Sequence, residues 1–301
     1  MPPRSLVVAS ALTLGFVAAS AGAATPARRV VSLNPSLTQI LLALGARDRI
    51  VGIDDRSAQQ EPELSQLPRV GGLFTPSLEA VVSLGPDLVA LVPSAEQRDL
   101  RARLEALGIE VLELPNITLE ELLRSIEVLG ARVGCAQAAA ARVGEIRASF
   151  AAVRRATSGR AHPRVVFAIQ REPLFVVGAG SFLDEMLRDA GTVNAAAELG
   201  GPYPRVGLEW LIAAAPDLIL DASDDPQDAT EYWSRWPSLP AVAAGRVVAL
   251  PARELTLPGP WVDRGVWRLA EAIHGPLVPA EAPGRPGARA DGGSRAPASP
   301  P

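Results

Sequence analysis

Two stretches of this sequence decide the fold: LEAVVSLGPDLV at residues 78–89 and LEWLIAAAPDLI at residues 208–219. In each, an apolar helical run that opens with Leu-Glu stops before a Pro-Asp pair, and a buried-type strand follows at once. The two copies lie 130 residues apart. A repeat with so long a period and so few copies is not a solenoid. We therefore expect two related α/β units.

Strand and helix signals alternate around the first stretch. Strand patterns at residues 29–33, 48–53, 87–92 and 110–114 are separated by helical patterns at 37–44, 78–84 and 96–107. Such alternation favours a mostly parallel sheet covered on both faces. Residues 119 to about 155 are helical in pattern and contain no proline, and a new strand begins at residue 164. We predict an α/β fold with two Rossmann-like lobes, each with a central mostly parallel sheet, joined by a single long α-helix.

The predicted domain organisation has five parts. These are a signal peptide (1–23), an N-terminal α/β lobe (28–134), a connecting helix (135–157), a C-terminal α/β lobe (158–275) and a disordered tail (276–301). Arg4 precedes an apolar run, and Ala21-Gly22-Ala23 fits the small-x-small cleavage rule, so we expect cleavage near Ala23 and export to the periplasm. The tail has too few large apolar residues to offset its ordering entropy. The single cysteine, Cys135, excludes an intramolecular disulfide.

Composition argues against several classes of function. The chain has 301 residues and a net charge of -4, so we expect no nucleic-acid partner. All 29 basic residues are arginine, which we interpret as a bias of composition. Its two histidines, His162 and His274, are too few for a bare zinc or manganese site. No nucleophile elbow, catalytic triad or acid pair stands out. We predict no enzyme, no catalytic residue and no resident cofactor or metal ion, and keep a purely structural exported module as the third hypothesis.

Several motifs together resemble one known family. They are RVVSLNPS at residues 29–36, Gly71-Gly72 before Ser77-Leu78-Glu79, LGPDLV at 84–89, and Leu104 to Val111. From about residue 29 to 274 the chain resembles the helix-linked periplasmic binding proteins that serve ABC importers of cobalamin, haem and ferric siderophores. It looks closest to the cobalamin-binding branch. The resemblance implies a monomer that traps cobalamin between its lobes and delivers it to the dimer of permease subunits.

The resemblance also assigns one docking acid to the top of each lobe, and Glu79 and Glu209 occupy the matching positions. Two carboxylates far apart on one face can pair with arginines on two permease subunits and fix the orientation of docking. The alternative is that both are ordinary acids in a first helical turn, where the macrodipole favours them.

A corrinoid needs apolar and aromatic walls with a few polar contacts. The loops that the resemblance assigns to the cleft supply the candidate ligand-binding residues, with core packing as the alternative for the aromatic ones: Arg56, Leu73, Phe74, Phe175, Tyr203 and Trp261. Arg56 falls near where relatives use an aromatic residue. Other ligands of the class stay open. Tyr203 or Tyr232 could be an axial ligand of haem, and an anionic siderophore could be held by Arg56, Arg171 or Arg205.

Overall fold

The computed structural model of the protein describes residues 25–225 and 227–277. The predicted signal peptide at residues 1–23 lies outside the described residues, as does the predicted tail from residue 278 onward. Leu277 is only 6% exposed and packs against the main hydrophobic core. The packed chain therefore extends two residues into the segment that we predicted to be a disordered tail.

The first lobe is built on four parallel strands in the order β2-β1-β3-β4. The strands are β1 (Val30–Ser32), β2 (Ile50–Ile53), β3 (Leu88–Leu91) and β4 (Glu110–Glu113). The helices are α1 (Pro35–Ala43), α2 (Asp55–Gln60), α3 (Leu78–Ser83) and α4 (Arg98–Ala106), with short 3-10 turns at Arg47–Arg49 and Pro62–Leu64. Every residue of β1 and β3 is buried, as expected for central strands covered on both faces.

The long helical pattern that follows is two helices, α5 (Leu119–Arg132) and α6 (Ala136–Thr157). A capping box between Thr118 and Glu121 starts α5. Gly134, with a φ of 70°, follows its end, because glycine enters the left-handed region without steric cost. The connecting helix is α6, whose 22 residues span about 33 Å.

The second lobe repeats the topology of the first. Its strands are β5 (Arg164–Gln170), β6 (Phe175–Val176), β7 (Val193–Asn194), β8 (Leu218–Asp221) and β9 (Val247–Ala249). Strands β7, β5, β8 and β9 are parallel, and β6 pairs antiparallel with the end of β5. The helices are α7 (Phe182–Asp189), α8 (Leu208–Ala214), α9 (Ala229–Trp233), α10 (Pro240–Ala243), α11 (Ala252–Leu255) and α12 (Val262–His274).

The Pro-Asp pair of the sequence repeat has the same structural role in both lobes. The carboxylate of Asp87 accepts a hydrogen bond from the backbone amide of Arg29 at 3.0 Å, beside the start of β1. The carboxylate of Asp217 accepts one from the amide of Arg164 at 2.8 Å, at the start of β5. Each aspartate thus ties one central strand to its neighbour. The predicted fold class, two α/β lobes with mostly parallel sheets joined by one long helix, is confirmed.

The connecting helix is packed into both lobes rather than exposed as a tether. It contacts α5 on one side and α7 and α12 on the other. Arg142 of α6 donates from Nε to the carbonyl of Pro260 at 2.7 Å and forms an ion pair with Asp263. Trp267 of α12 donates from Nε1 to Ser149 Oγ at 2.9 Å. Among the described helices, none has the length and apolar character needed to cross a membrane.

Candidate functional site

The carboxyl ends of the strands in the two lobes enclose a cleft, which is the usual binding position of open parallel sheets. Three adjoining cavities of about 310, 290 and 320 Å³ make up this cleft. Thr256 lines all three of them. Its hydroxyl donates to the carbonyl of Ala252 at 2.8 Å, which holds the side chain against α11. The three cavities therefore adjoin one another around Thr256.

A direct hydrogen bond between Ser36 and Pro258 joins the lobes beside this cleft. Asn34 caps α1 by accepting from the amide of Ser36 at 2.9 Å, with Pro35 as the first helical residue. The hydroxyl of Ser36 then donates to the carbonyl of Pro258 in the second lobe. Asn116, after β4, donates from Nδ2 to Ser36 Oγ at 3.1 Å. The Asn-Pro-Ser motif near the start of the first lobe is thus part of the contact between lobes.

The cavity of about 290 Å³ has a mainly apolar wall. Tyr203, Ile169 and Leu183 line it from the second lobe, and Ile117 lines it from the first. Burial raises the pKa of Tyr203 to about 12, so its phenol is neutral at physiological pH. The loop that carries Tyr203 approaches Gly178 closely, since a Cβ there would lie 2.4 Å from the carbonyl oxygen of Gly201. Gly178 is therefore required by this close approach.

The cavity of about 320 Å³ has polar walls from the ends of β5 and β8. Arg171 is 5% exposed there, and donates to Asp221 at 2.9 Å and to the carbonyl of Gln227 at 2.7 Å. Oδ1 of Asp225 lies 3.3 Å from Nη1 of Arg171. Because these partners already occupy the guanidinium, Arg171 does not suit the contact with a siderophore that we considered for it.

The predicted ligand-binding residues are not all in the cleft. Arg56 and Leu73 line the cavity of about 310 Å³, and Tyr203 lines the neighbouring one, so the structure brings these three together. Phe74 is 58% exposed and lines none of the three cavities. Phe175 is half-buried in β6 and bridges to Arg205. Their roles stay predictions.

Trp261 lines a different cavity, of about 340 Å³, bounded by α1 and the chain after α2. Two guanidinium groups lie near its ring, with the Cζ of Arg142 at 4.9 Å and that of Arg264 at 4.3 Å from the ring centroid. Such cation–π contacts hold the ring on the side of α6 and α12. Trp261 therefore lines none of the three cavities around Thr256, and its role in ligand binding stays a prediction.

Several cleft residues had not been identified from the sequence. They follow the carboxyl ends of parallel strands: Asn116 after β4, Asp224 after β8, and Arg253 and Thr256 after β9. The position of each residue after a predicted strand is the signal that could have found them. Within residues 25–225 and 227–277, no group of three or more His, Cys, Asp or Glu side chains is placed to hold a metal ion.

Glu79 and Glu209 are exposed in the first turns of α3 and α8. Hydrogen bonds from its own backbone and from Ser77 lower the pKa of Glu79, which keeps this carboxylate charged. Helix α3 begins beside the end of β2. There the backbone amide of Val70 donates to the carbonyl of Ile53 at 3.0 Å, and the carbonyl of Val70 accepts from the amide of Ser77 at 2.7 Å. Both acids are thus first-turn residues of repeat-equivalent helices, and their docking role stays a prediction.

A two-lobed α/β fold with one connecting helix and a cleft between the lobes defines the helix-linked class of substrate-binding proteins. A model of the periplasmic binding protein family matches residues 30–254. The chain therefore belongs to the periplasmic binding protein family, whose members bind substrates for transport.

Individual relatives agree with this assignment. A cobalamin-binding protein of Halobacterium salinarum is 32% identical over 264 residues, covering 83% of this chain and 70% of the relative. The vitamin B12-binding protein BtuF of Vibrio cholerae has a TM-score of 0.72 and 25% identity, covering 82% of this chain and 97% of that one. The heme-binding protein RhuT of Roseiflexus sp. RS-1, in apo form, has a TM-score of 0.71 and 26% identity over the same shares of each chain.

Proposed function

We propose that this protein binds a cobalamin-type corrinoid in the cleft around Thr256 and delivers it to the permease dimer of an ABC importer. The observation that carries the proposal is the group of adjoining cavities between the lobes, with an apolar wall at Tyr203 and amide side chains at Asn34, Asn116 and Gln60. The relatives from Halobacterium salinarum and Vibrio cholerae, which are named for cobalamin and vitamin B12, support the choice of ligand.

The chemistry of a corrinoid suits these walls. Its macrocycle has apolar faces and a rim of amide arms, so it needs apolar contact and hydrogen-bond partners rather than many charges. The side-chain oxygen of Gln60 is buried without a hydrogen-bond partner in the described part of the chain. Buried polar atoms normally have a partner, and a ligand amide would reach this oxygen only after the side chain of Gln60 moves.

Haem is the second candidate, because a heme-binding protein is among the structural relatives and Tyr203 lines the cleft. An axial tyrosine binds iron as the phenolate. Burial favours the neutral phenol of Tyr203 and raises its pKa to about 12. We place the corrinoid first, because the relatives from Halobacterium salinarum and Vibrio cholerae are named for cobalamin and vitamin B12, and haem or a ferric siderophore second.

The remaining parts of the proposal concern delivery. The protein acts as a monomer in the periplasm after cleavage near Ala23, without catalytic activity and without a resident cofactor or metal ion. Glu79 and Glu209 dock it on the permease. Family membership and the repeat-equivalent positions of the two acids support this arrangement.

The test is calorimetric titration of the mature protein with cyanocobalamin, then with haemin and a ferric siderophore under the same conditions. Saturable one-to-one binding of cyanocobalamin supports the proposal. Binding of haemin or the siderophore alone would keep the transport role and replace the ligand. If none of the three bound, a structural module would be the better description. A thermal unfolding scan checks this result, because a bound ligand also stabilises the folded state.

A further inference from the structure

Val82 and Ile212 are exposed apolar residues at equivalent positions of the two lobes. Val82 lies in α3 and is 36% exposed, and Ile212 lies in α8 and is 46% exposed. Their separation of 130 residues is the period of the sequence repeat. Within residues 25–225 and 227–277, no other two of the exposed large apolar side chains are separated by this period. Both lobes therefore present an apolar side chain at the same surface position.

Each of these side chains lies one helical turn after a predicted docking acid. Glu79 precedes Val82 by three residues, and Glu209 precedes Ile212 by three. Residues three apart share one face of a helix. The outward faces of α3 and α8 therefore carry the same pair of neighbours, a carboxylate followed by a β-branched apolar side chain.

The two helices are fixed in place and begin at the cleft end of their lobes. Val81 and Leu211 are fully buried and pack into the cores beneath α3 and α8. Helix α3 begins beside the end of β2. Helix α8 follows Val206, whose amide donates to the carbonyl of Leu174 at 3.0 Å, next to the strand that pairs with the end of β5. One pair of neighbours, acid and apolar, thus lies on each side of the cleft.

The partner that fits these pairs is both basic and apolar. Neither α3 nor α8 contains a basic residue, and Glu79 and Glu209 form no ion pair in the part of the chain that the structure describes. A second copy of this chain docked through the same face would place acids opposite acids, which repel each other. Two equivalent subunits, each with a basic side chain beside an apolar pocket, match both lobes at once.

We propose that Val82 and Ile212 are apolar anchors, each of which enters a pocket on one permease subunit beside the basic side chain that pairs with the neighbouring glutamate. This inference rests on the proposed function and specifies its docking surface. An exposed ion pair fixes orientation and speeds encounter but adds little affinity. Burial of the anchors removes apolar surface from water, so they slow dissociation of the docked complex.

The test measures binding of the mature protein to its cognate ABC importer in lipid nanodiscs by biolayer interferometry. The variants are Val82→Thr, Ile212→Thr and the double variant, which keep β-branched side chains and replace apolar surface by a hydroxyl. Leu107→Thr, at a residue that is 58% exposed at the end of α4, is the matched control. We expect each single variant to bind the importer roughly fivefold more weakly, the effect of burying about 40 Å² of apolar surface. Affinity for cyanocobalamin should be unchanged.

Ionic strength separates the anchors from the ion pairs. The ratio of wild-type to double-variant affinity for the importer should be the same at about 0.05 and 0.5 M salt, because salt does not screen an apolar contact. The corresponding ratio for Glu79→Gln with Glu209→Gln should fall as salt rises. Val82→Ala and Ile212→Ala form a second set of variants. Alanine favours the helix, so a loss of importer binding in both sets is not an effect of helix stability.

The anchors would be refuted if the double threonine variant bound the importer as tightly as Leu107→Thr does, and docking would then depend on the acids alone. A loss in the threonine set without one in the alanine set would refute them too, as would an equal loss of affinity for cyanocobalamin. A wild-type dimer that Val82→Thr dissociates would assign the surface to a second copy. A wild-type protein that binds cyanocobalamin but not the importer contradicts the delivery role and the anchors together, whereas haemin as the ligand leaves this test unchanged.

Discussion

Arg171 and Asp221 are joined by a hydrogen bond of 2.9 Å between Nε and Oδ2, and their side chains are 3% and 1% exposed. The same carboxylate accepts from Trp233 Nε1 at 2.6 Å, and its other oxygen accepts from the amide and hydroxyl of Ser223 at 3.0 and 2.7 Å. The buried carboxylate is thus fully hydrogen-bonded. It holds together the ends of β5 and β8, which form one wall of the cleft.

We expect Asp221→Ala to destabilise the protein strongly, because it leaves the guanidinium of Arg171 buried without its main partner. Breaking a buried ion pair from one side typically costs about 3–5 kcal/mol. Denaturation in urea gives the free energy of unfolding. Asp224→Ala, three residues along the chain and exposed, is the matched control and should change it by less than about 0.5 kcal/mol. Equal effects of the two substitutions would show that the pair contributes little.

The fold could be predicted from the sequence because its signals are local. Strand and helix patterns alternate within a few residues, and the Pro-Asp repeat marks equivalent positions, where Asp87 and Asp217 make equivalent bonds. The connecting helix was expected to begin at residue 135, and α6 begins at Ala136, after Gly134 with its positive φ.

The site could be predicted only in part, because side-chain positions in the cleft depend on contacts distant in sequence. The ring of Trp261 packs against Arg142, a residue of the connecting helix, and no spacing near Trp261 reveals this contact. Thr256 is in a loop without a motif. Its place at the centre of the cleft follows from the register of β9 and from the bond between Ser36 and Pro258, residues 222 positions apart.

The central position of Thr256 leads to a second prediction. Thr256→Phe should abolish ligand binding, because the larger ring would fill the point where the three cavities meet. Thr256→Ser is the control, since it keeps a hydroxyl for the carbonyl of Ala252. We expect a loss of affinity of about 100-fold or more for the first variant, equivalent to about 2.7 kcal/mol, and little change for the second. Calorimetry with cyanocobalamin measures both, and similar affinities would place the ligand elsewhere.

Tyr203 distinguishes the two candidate ligands. If the cleft binds a corrinoid, the ring of Tyr203 supplies apolar contact, so Tyr203→Phe should bind cyanocobalamin like the wild type and Tyr203→Ala should bind it more weakly. If the cleft binds haem through the phenolate, Tyr203→Phe should lose binding as Tyr203→Ala does. The absorption spectrum of the haemin complex checks the second case, because loss of the axial ligand shifts it.

The pKa of Tyr203 also predicts how stability depends on pH. Burial raises it from 10.0 to about 12 in the folded protein. Above about pH 10 the unfolded chain releases the phenolic proton while the folded protein retains it, so the free energy of unfolding falls as pH rises from about 10 to 12, by at most about 1.4 kcal/mol per pH unit. Tyr203→Phe should reduce this slope. Tyr232 is present in both the wild type and the variant, so its own titration does not account for the difference. Denaturation in urea at pH 8 and 11 checks this, and identical slopes would mean that Tyr203 titrates normally.

The docking prediction separates binding from delivery. The double variant Glu79→Gln with Glu209→Gln should keep the wild-type affinity for cyanocobalamin, since both acids are exposed and line none of the three cavities of the cleft. It should fail to support uptake into proteoliposomes that contain the permease, because the pairing with permease arginines is lost. Each single variant should show a partial defect that grows with ionic strength, as salt screens the remaining pair. Glu127→Gln, an exposed acid of α5, is the control and should transport normally. If the double variant transported as fast as this control, the two acids would be ordinary first-turn residues stabilised by their helix dipoles.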